Sequence, residues 1–364
     1  MQTKYKRIAV KVGSNVLTRA DGTLDVTRMS ALVDQIAELR NRGVEVILIS
    51  SGAVASGRSE LQLSQEECRR MDHVNQRQLF SAVGQAKLIN RYYELFREHN
   101  IAVGQVLTMK ESFSTRRHYL NQRNCMMVML ENGVLPIVNE NDTISVTELM
   151  FTDNDELSGL VATMMDVQAL VILSNVDGIY NGKPGEEGVT VIPTVEPDKD
   201  MSEYIHAEKS GFGRGGMMTK CSIARKVADE GITVIIANGK RDGILVDLLF
   251  RSSEVTHTRF VPQAETVSSV KKWIAHSTGF AKGRIYLNEQ AVKVVCGEKA
   301  VSVLPVGVTR IEGDFEKDDL VQLVSPDERV LGVGRVAYDS KDAETVVGCH
   351  DCKPLIHYDY LYLE

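Results

Sequence analysis

Apolar residues along the first 258 positions follow two alternating patterns. Short runs rich in β-branched residues, typical of buried strands, occur at 7–12, 44–50, 102–107, 134–139, 169–174 and 233–237. Between these runs, apolar residues recur at helical spacing, as at 32, 33, 36 and 39. Strands that alternate with helices predict an α/β fold with a largely parallel sheet covered by helices.

Capping residues mark several of the predicted helices. Thr27 is the predicted N-cap of the helix that contains the apolar positions 32, 33, 36 and 39, and Gly43 is predicted to end it. Ser64 and Glu67 have the spacing of a capping box. A long amphipathic helix is expected to place its apolar side chains in the core, namely Leu79, Phe80, Val83, Ile89, Tyr92, Tyr93 and Phe96.

The pattern changes near residue 258. We predict a first domain over 1–258 and a linker over 259–280 that contains one short helix at 267–276. Residues 281–358 are predicted to form a small, mostly β domain, because short strands and turns dominate from Arg284 onward.

The composition is that of a globular protein, with 43% hydrophobic and 25% charged residues among 364. The formal net charge of −7 disfavours a surface that neutralises many nucleic acid phosphates. The sequence shows neither a secretory signal nor an apolar run that could cross a bilayer, so we expect a cytoplasmic protein with no membrane partner.

Six cysteines without dense spacing predict reduced thiols. Cys349 and Cys352 form a close pair, with only Cys296 and His357 as further candidate zinc ligands. We favour incidental placement of this pair over a metal or redox role.

Polar residues and glycines follow several predicted strands. The segments are GSN (13–15), SGAVASG (51–57), ENDT (140–143), NVDG (175–178) and NGK (238–240). Ligands of open parallel sheets bind beyond the carboxyl ends of the strands. Each segment alone is an ordinary turn, but together they predict one edge of a binding site.

Individual residues at this edge have two interpretations. Lys11, before a glycine turn, is either a solvated strand-end lysine or a cation over a bound anion. Ser51 suits a carboxylate or a phosphate, or belongs to a helix N-cap. Asp155, taken alone, would be a helix N-cap. It belongs, however, to one of two Asp/Asn clusters, at 139–142 and 152–155, and such clusters favour binding of an ammonium group, a metal or the lysines of an anion site.

The segment SGFGRGGMMTK (210–220) is rich in glycine and ends in Lys220, but it does not match the G-x-x-x-x-G-K-[ST] phosphate loop. The strand-end segments contain no histidine. A carboxylate nucleophile is already ionised at neutral pH and needs no base. Phosphoryl transfer depends mainly on positioning and on cations, which Lys11, Lys220 and a glycine loop could supply.

Six ordered segments resemble the glutamate 5-kinases of the amino acid kinase superfamily: VKVGSNVL (10–17), ISSGAVASG (49–57), VGQ (83–85), IVNENDT (137–143), TDNDELSG (152–159) and GGMMTK (215–220). Residues 304–323 resemble the PUA domain that many bacterial members carry. The resemblance spans nearly the whole chain. It implies a three-layer α/β/α sandwich in which ATP and L-glutamate lie along the carboxyl edge of the sheet.

The resemblance also implies an activity and the residues that perform it. The γ-phosphoryl group of ATP would pass to the side-chain carboxylate of L-glutamate, in the first step of proline biosynthesis. Lys11 and Lys220 would be the cations on the phosphoryl group, and Asp155 would orient them. Glutamate would contact Ser51, Asp142 and Asn154, with Asn139 and Asp153 nearby. The nucleotide would contact Lys11, Ser174, Asn175, Arg214, Gly215, Gly216, Met217, Met218, Thr219 and Lys220.

Further partners are implied in the same way. Mg²⁺ would enter on the phosphates of ATP, without protein ligands. Family members are usually dimers or tetramers inhibited by proline, and glutamyl phosphate reductase acts next.

Four residues at three sites depart from the family pattern. Ser174-Asn175 stands where Thr-Asp is common, which removes a carboxylate near the nucleotide. Arg214 stands where threonine is frequent. Asp318 replaces a glycine in a turn expected to need a positive φ.

Two other functions remain as alternatives to this one. An acetylglutamate or aspartate kinase is the nearest alternative, although residues 281–364 do not resemble the paired regulatory domains of aspartate kinases. An RNA-binding PUA protein is the alternative from another class. Residues 281–364 hold 10 basic against 15 acidic residues, a net charge of −5, which disfavours RNA.

Overall fold

The computed structural model describes residues 4–114, 116–144, 154–182, 186–197, 217–263, 281–297, 301–350 and 352–363. The chain groups into two compact units, Met1–Met109 with Asn124–Thr266 and Lys110–Arg123 with Val267–Glu364. The domain boundaries 1–258, 259–280 and 281–358 stay predictions.

The sheet of the first unit is largely parallel, as predicted. Its strands are β1 (Arg7–Val12), β2 (Glu45–Ser50), β3 (Val103–Thr108), β4 (Leu135–Glu140), β5 (Ala169–Ser174), β6 (Thr194–Val195), β7 (Thr233–Asn238) and β8 (Thr258–Phe260). They are ordered β3-β4-β2-β1-β5-β7-β8-β6, and the β7–β8 pair is antiparallel. The six predicted strands are confirmed to within one residue at either end. The pattern missed β6 and β8 because two or three residues are too few to show a period.

The helices connect these strands. They are α1 (Ser14–Leu17), α2 (Val26–Asn41), α3 (Ala53–Leu61), α4 (Gln65–Arg69), α5 (His73–Arg97), α6 (Glu111–Ser114), α7 (Arg116–Glu131), α8 (Asn154–Met164), α9 (Met217–Asp229) and α10 (Ile244–Phe250). A single-turn 3₁₀ helix at Ser252–Glu254 precedes β8.

The two faces of β1 have different neighbours, because side chains alternate along a strand. Ile8, Val10 and Val12 are buried in a core that also holds apolar residues of α2, α5 and α10. Lys11 therefore projects toward the opposite face, and α8 packs against β1. This alternation places one buried lysine among the helices that follow β4 and β5.

The capping predictions are confirmed in two places and wrong in one. Ser64 and Glu67 form the capping box, and Gly43 follows α2 with φ +82°. The N-cap of α2 is Asp25 rather than Thr27. The carboxylate of Asp25 accepts a hydrogen bond from the Arg28 amide at 3.1 Å, so the helix begins before Thr27 is reached.

Helix α5 has the predicted apolar stripe, but the stripe is narrower than predicted. Phe80, Tyr92 and Phe96 are buried, whereas Leu79 is 37% exposed and Tyr93 is 51% exposed. Leu79 and Tyr93 each lie one position from a buried residue, which is 100° away around the helix. The expectation that both lie in the core is therefore wrong.

The second unit holds the predicted mostly β segment. Its strands are β9 (Gly283–Leu287), β10 (Val308–Gly313), β11 (Leu320–Val324), β12 (Val330–Val336) and β13 (Ile356–Leu363), in the order β10-β9-β11-β12-β13. Within the described residues from 281 onward, helices α11 (Glu289–Val295) and α12 (Ser340–Thr345) and a 3₁₀ turn at Pro305–Gly307 accompany these strands.

Two local predictions for this unit have different outcomes. Within the region from Arg284 onward that was expected to hold mainly strands and turns, residues 289–295 form a helix, because the Asn288 side chain accepts a hydrogen bond from the Ala291 amide and caps it. Asp318 has φ +75°, so the positive φ expected of this turn is confirmed. The helix predicted at 267–276 lies outside the described residues.

Cys349 and Cys352 form a disulfide bond, which corrects the expectation that all six thiols are reduced. The other four cysteines, all among the described residues, form no disulfide bond. Within the described residues, no group of three or more His, Cys, Asp or Glu side chains is arranged to bind a metal ion. Every helix in the described ranges is too short or too polar to span a bilayer.

Helices α3 and α5 approach so closely that only glycine fits at their contact. A Cβ atom on Gly84 would lie 1.8 Å from the carbonyl oxygen of Ala53, and one on Gly57 would lie 1.9 Å from that of Phe80. Backbone therefore meets backbone at this contact. It holds α5 beside the turn that joins β2 to α3, where Ser51 lies.

We expect Gly84→Ala to lower the free energy of unfolding by about 3 kcal/mol, because the added methyl group forces two helix backbones apart. Urea denaturation measures this loss. The control Ala82→Ser changes an exposed position of the same helix and should stay within about 0.5 kcal/mol of the parent. An unchanged midpoint for Gly84→Ala would contradict the close contact.

Candidate functional site

A buried carboxylate joins two lysines at the carboxyl edge of the sheet. Lys11 Nζ lies 2.5 Å from Oδ1 of Asp155, and Lys220 Nζ lies 2.9 Å from Oδ2. The side chains of Lys11, Asp155 and Lys220 are 6%, 1% and 11% exposed. We call these three residues the lysine–aspartate bridge. Asp155 is the second residue of α8, so it lies inside the helix and is not its N-cap.

Each member of the bridge comes from a different element. Lys11 is the fifth residue of β1, and Lys220 lies in the first turn of α9. Helices α8 and α9 lie close together because Gly159 has no side chain. A Cβ atom there would be 3.1 Å from methyl groups of Ile223 and Val227. This spacing lets Lys220 reach Asp155.

Burial and the two ammonium groups act in opposite directions on Asp155. Burial alone raises the pKa of a carboxyl group. The charges of Lys11 and Lys220, and their hydrogen bonds, outweigh burial and hold the pKa of Asp155 below its ordinary value. The bridge therefore carries two positive charges and one negative charge, and it presents a net positive charge to a ligand at this edge.

Beside the bridge, amide side chains form a chain of hydrogen bonds from Ser51 to α5. Asn154 donates to Oγ of Ser51 at 2.9 Å and to Oδ1 of Asn139 at 3.0 Å. Asn139 in turn donates to Gln85 at 2.8 Å. Ser51, Asn139 and Asn154, predicted from separate segments, thus lie in one network, and Asn154 is the neighbour of Asp155 in α8.

The turn that carries Ser51 is held by its own contacts. The Ser51 amide donates to the Val12 carbonyl at 3.1 Å, and Gly52 has φ +112°, which suits glycine alone. Below it, Oγ of Ser50 lies 2.9 Å from the Ser51 carbonyl and 2.7 Å from the Tyr92 hydroxyl. Burial raises the pKa of Tyr92 to about 12, so its hydroxyl stays protonated and can donate to Ser50.

The acids that follow β4 pair with an arginine of α5. Nε of Arg77 donates to Oδ1 of Asp142 at 2.8 Å, and Nη2 donates both to that atom and to Oε2 of Glu140, the latter at 2.9 Å. Glu140 and Asp142 are 4% and 9% exposed. Asp142 is therefore present at the predicted edge, with an arginine partner that the sequence did not indicate.

In the glycine turn after β1, the Gly13 amide hydrogen-bonds the sheet and not a ligand. The Gly13 amide donates to the Leu173 carbonyl of β5 at 3.1 Å, so this amide is not available for an anion. A Cβ atom on Gly13 would lie 3.2 Å from that carbonyl and 3.5 Å from Nζ of Lys11. Glycine here lets Lys11 lie close to the turn.

The ends of β5 and β7 form the other half of the edge. The Gly239 amide donates to the Ser174 carbonyl at 2.8 Å, and the Ser174 hydroxyl lies 3.4 Å from Oδ1 of the exposed Asn175. Asn238 donates to Asp177 at 3.0 Å. The carboxylate of Asp177 thus lies two residues beyond Asn175.

The glycine-rich segment is only partly described. Met217, Met218, Thr219 and Lys220 form the first turn of α9, as predicted for a lysine at a helix start. Arg214, Gly215, Gly216 and Asp153 lie outside the described residues.

Sequence reasoning missed three side chains that hold the site together: Gln85, Tyr92 and Arg77. Gln85 belonged to a quoted family motif, VGQ, and that was its only signal. Tyr92 has the pattern of an ordinary core position. Arg77 is one of several polar residues in a helix, so nothing in the local pattern distinguishes it from a solvated arginine.

The geometry suits a reaction at an anionic group. Two lysines fixed by one carboxylate supply positive charge without needing to reorganise during the reaction. The neighbouring amides and acids can bind a polar ligand with a cationic group.

Comparison with known proteins identifies relatives over the whole length. Residues 6–238 match the model of the amino acid kinase family, and residues 283–357 match that of the PUA domain. The chain is 69% identical over 364 residues to the glutamate 5-kinase of Bacteroides thetaiotaomicron, covering 100% of both chains. It is 45% identical over 361 residues to that of Chlorobaculum tepidum, covering 99% of this chain and 98% of the relative.

We expect Asp155→Asn to lower the free energy of unfolding by about 3 kcal/mol at pH 7, because it leaves two buried ammonium groups without their carboxylate. The pKa of Asp155 is lower in the folded state. The stabilisation by its charge is therefore complete above the ordinary carboxyl pKa and is lost as the pH falls toward the folded-state value.

Denaturant unfolding of parent and variant between pH 7 and pH 3 measures this difference. The matched control is Asp242→Asn, which removes an acid that pairs with Arg28 but is 92% exposed, and it should cost less than about 0.5 kcal/mol. A stability difference for Asp155→Asn that grows as the pH falls would contradict a lowered pKa of Asp155 in the folded state.

Proposed function

Since the chain belongs to the amino acid kinase family and its full-length relatives are glutamate 5-kinases, we propose that it phosphorylates L-glutamate with ATP. The γ-phosphoryl group passes to the side-chain carboxylate and gives L-glutamyl 5-phosphate, the first step of proline biosynthesis. The lysine–aspartate bridge carries this proposal on the structural side, because it fixes two cations at the edge of the sheet.

Lys11 and Lys220 are the groups that we assign to the transferring phosphoryl group. In phosphoryl transfer, charge spreads over the equatorial oxygens, and fixed cations stabilise it. Asp155 binds both ammonium groups through different oxygens and keeps them apart at fixed positions. The glutamate carboxylate attacks as it is, without losing a proton.

We assign glutamate to the network of Ser51, Asn139 and Asn154, with Asp142 as the partner of its α-ammonium group. Their hydrogen bonds bring the three network residues together beside the bridge. Asp153, in the same segment as Asn154, stays a proposed neighbour. This side of the edge offers amide and hydroxyl groups for the α-carboxylate and negative charge for the ammonium.

We assign the nucleotide to the ends of β5 and β7 and to the start of α9. The proposed contacts are Ser174, Asn175, Arg214, Gly215, Gly216, Met217, Met218 and Thr219, in addition to the two lysines. Asp177 lies near the same strand ends and accepts a hydrogen bond from Asn238. Asn175 and Arg214, which differ from the family pattern, are themselves polar and could hydrogen-bond a ribose or a phosphate.

Mg²⁺ fits this site as a companion of ATP. Both oxygens of Asp155 are occupied by ammonium groups, so the carboxylate nearest the reaction has no oxygen left for a metal ion. Mg²⁺ prefers phosphate oxygens and water, which ATP supplies. When bound there, it would neutralise part of the phosphate charge.

The wider context is proposed by analogy with the family. We expect the chain to act in the cytoplasm, where ATP is available. We also expect it to form a dimer or a tetramer. Proline is the expected feedback inhibitor. An acyl phosphate hydrolyses readily, so we expect glutamyl phosphate reductase to consume the product promptly.

A substrate panel tests the function. Purified protein with MgATP is expected to release ADP when L-glutamate is added, and hydroxylamine should trap the acyl phosphate as a hydroxamate. L-Aspartate, N-acetyl-L-glutamate and a reaction without amino acid are the comparisons. The proposal is overturned if aspartate or N-acetylglutamate clearly outperforms glutamate, or if ADP forms without hydroxamate.

Lys220→Ala is expected to lower kcat by about 10²-fold, because it removes a cation that acts on developing charge in the transition state. Lys87→Ala is the control, since Lys87 pairs with Glu60 on the surface of α5 and should leave kcat unchanged. Circular dichroism establishes that the variant is folded. A folded Lys220→Ala protein with the parental kcat would exclude Lys220 from the chemistry.

A further inference from the structure

The first unit contains a cavity of about 790 Å³ that is separate from the lysine–aspartate bridge. Its walls come from the strands β6, β7 and β8, from helix α10, and from the segment 252–257 that joins α10 to β8. Cavities of roughly 300 to 1,000 Å³ are typical of sites for small molecules. The cavity is therefore large enough to take a small organic ligand.

This cavity and Lys11 lie at opposite ends and on opposite faces of the sheet. Lys4 and Tyr5, which line the cavity, precede β1, whereas Lys11 is the fifth residue of that strand, about 13 Å along it from Arg7. Ile235 of β7 also lines the cavity and belongs to the core below α2, α5 and α10. Lys11 projects toward the other face, so a ligand in the cavity would not touch the bridge.

Arg259 of β8 brings a cationic side chain to the cavity. It is the partner of Ile235 in the antiparallel ladder between β7 and β8, so both side chains lie on the same face of the sheet. Its Nε atom is buried and has no hydrogen-bond acceptor among the described residues, and no carboxylate among them pairs with the guanidinium. A partly buried guanidinium without a counter-ion favours a bound anion.

Other polar groups border the same cavity. Nδ1 of His257 donates to the Val255 carbonyl at 2.7 Å, which leaves Nε2 for a ligand. Lys4 and Glu254 are the other charged side chains of the lining, and with Arg259 they sum to one positive charge when His257 is neutral. This net charge suits an anionic group. Hydroxyl donors are supplied by Thr194, Ser252, Ser253 and Thr256.

Another part of the wall is apolar. Ile235, Leu248, Leu249 and Val255 line the cavity, and each is at most 9% exposed. An apolar ligand surface against these side chains is removed from water, which favours binding. A hydrated ion such as inorganic phosphate offers no such surface. The ligand that matches both parts of the wall has an anionic end and an apolar body.

We propose that this cavity is a second binding site, which takes a small organic anion with an apolar body. Arg259 binds the anionic group, either a carboxylate or a phosphate monoester, and the apolar body packs against β7 and α10. The inference does not rest on the proposed function, because no residue of the cavity is assigned to glutamate, to the nucleotide or to the phosphoryl group.

Calorimetric titration of the full chain tests the site with three compounds that share one ring. Phenyl phosphate and benzoate are the anionic probes, and they distinguish a phosphate ligand from a carboxylate ligand. Benzyl alcohol is the neutral probe. We expect saturable binding of the anions, and we expect benzyl alcohol to bind about tenfold more weakly or less, because it cannot form a charged hydrogen bond with Arg259.

Arg259→Gln is expected to weaken binding of the anions about tenfold or more, while Arg259→Lys weakens it less, because lysine keeps the charge but lacks the planar fork. Arg251→Gln is the matched control. Arg251 lies outside the cavity lining and pairs with Asp247 at 2.6 Å, so this variant should bind within about twofold of the parent. Lys220→Ala should also bind within about twofold, since Lys220 belongs to the other face of the sheet.

Amide chemical shifts of the parent chain locate the probe without any substitution, so the test holds even if Arg259→Gln fails to fold. Phenyl phosphate is expected to shift the amide signals of residues 252–257 and to leave those of Ser51 and Asn154 in place.

Four results would overturn the inference. They are no saturable binding of either anion, equally tight binding of benzyl alcohol, parental affinity of a folded Arg259→Gln variant, and shifts confined to the carboxyl edge of the sheet. None of them bears on the proposed function, which fails only through the substrate panel.

Discussion

The carboxylate of Asp155 binds two lysines that come from a strand and from a helix separated in sequence, and the site depends on this contact. Two ammonium groups held near one another repel, and a buried carboxylate alone would be driven to take up a proton. Together they are stable, since each Asp155 oxygen faces one lysine and the pKa of the acid is lowered. The bridge thus fixes α8 and α9 against β1 and supplies positive charge where a phosphoryl group can use it.

Along the edge of the sheet, positively charged groups and acidic groups lie at different positions. Cations lie at the centre, where β1 meets α8 and α9. Amide groups and acids lie toward β2 and β4, held by Gln85 and Arg77 of α5. Asn154 and Asp155 are adjacent in α8, so one helical turn contributes to both parts, and a substrate with a carboxylate at one end and an ammonium group at the other matches this division.

The sequence allowed prediction of the parts that depend on local pattern or on recognisable motifs. The six main strands follow from apolar runs, and Lys11, Asp155 and Lys220 follow from the family motifs. The network of Ser51, Asn139 and Asn154 was expected at one edge because parallel strands end together. Arg77 was not predictable, since a helix of polar residues does not reveal which side chain turns toward a buried acid. The helix over 289–295 was missed because one capping asparagine overrode the strand preference of its valines.

The order of strands has a consequence for how the protein is made. Strand β1 is synthesised first, yet it lies at the centre of the sheet between β2 and β5. One of its edges therefore stays unpaired until Ala169–Ser174 has emerged, and Lys220 comes 209 positions after Lys11 (220 − 11). Such long-range pairing folds slowly and exposes strand edges that can aggregate. A nascent chain that ends before α9 would hold one lysine and the acid but not the second cation, so the reactive edge forms only after most of the first unit has left the ribosome.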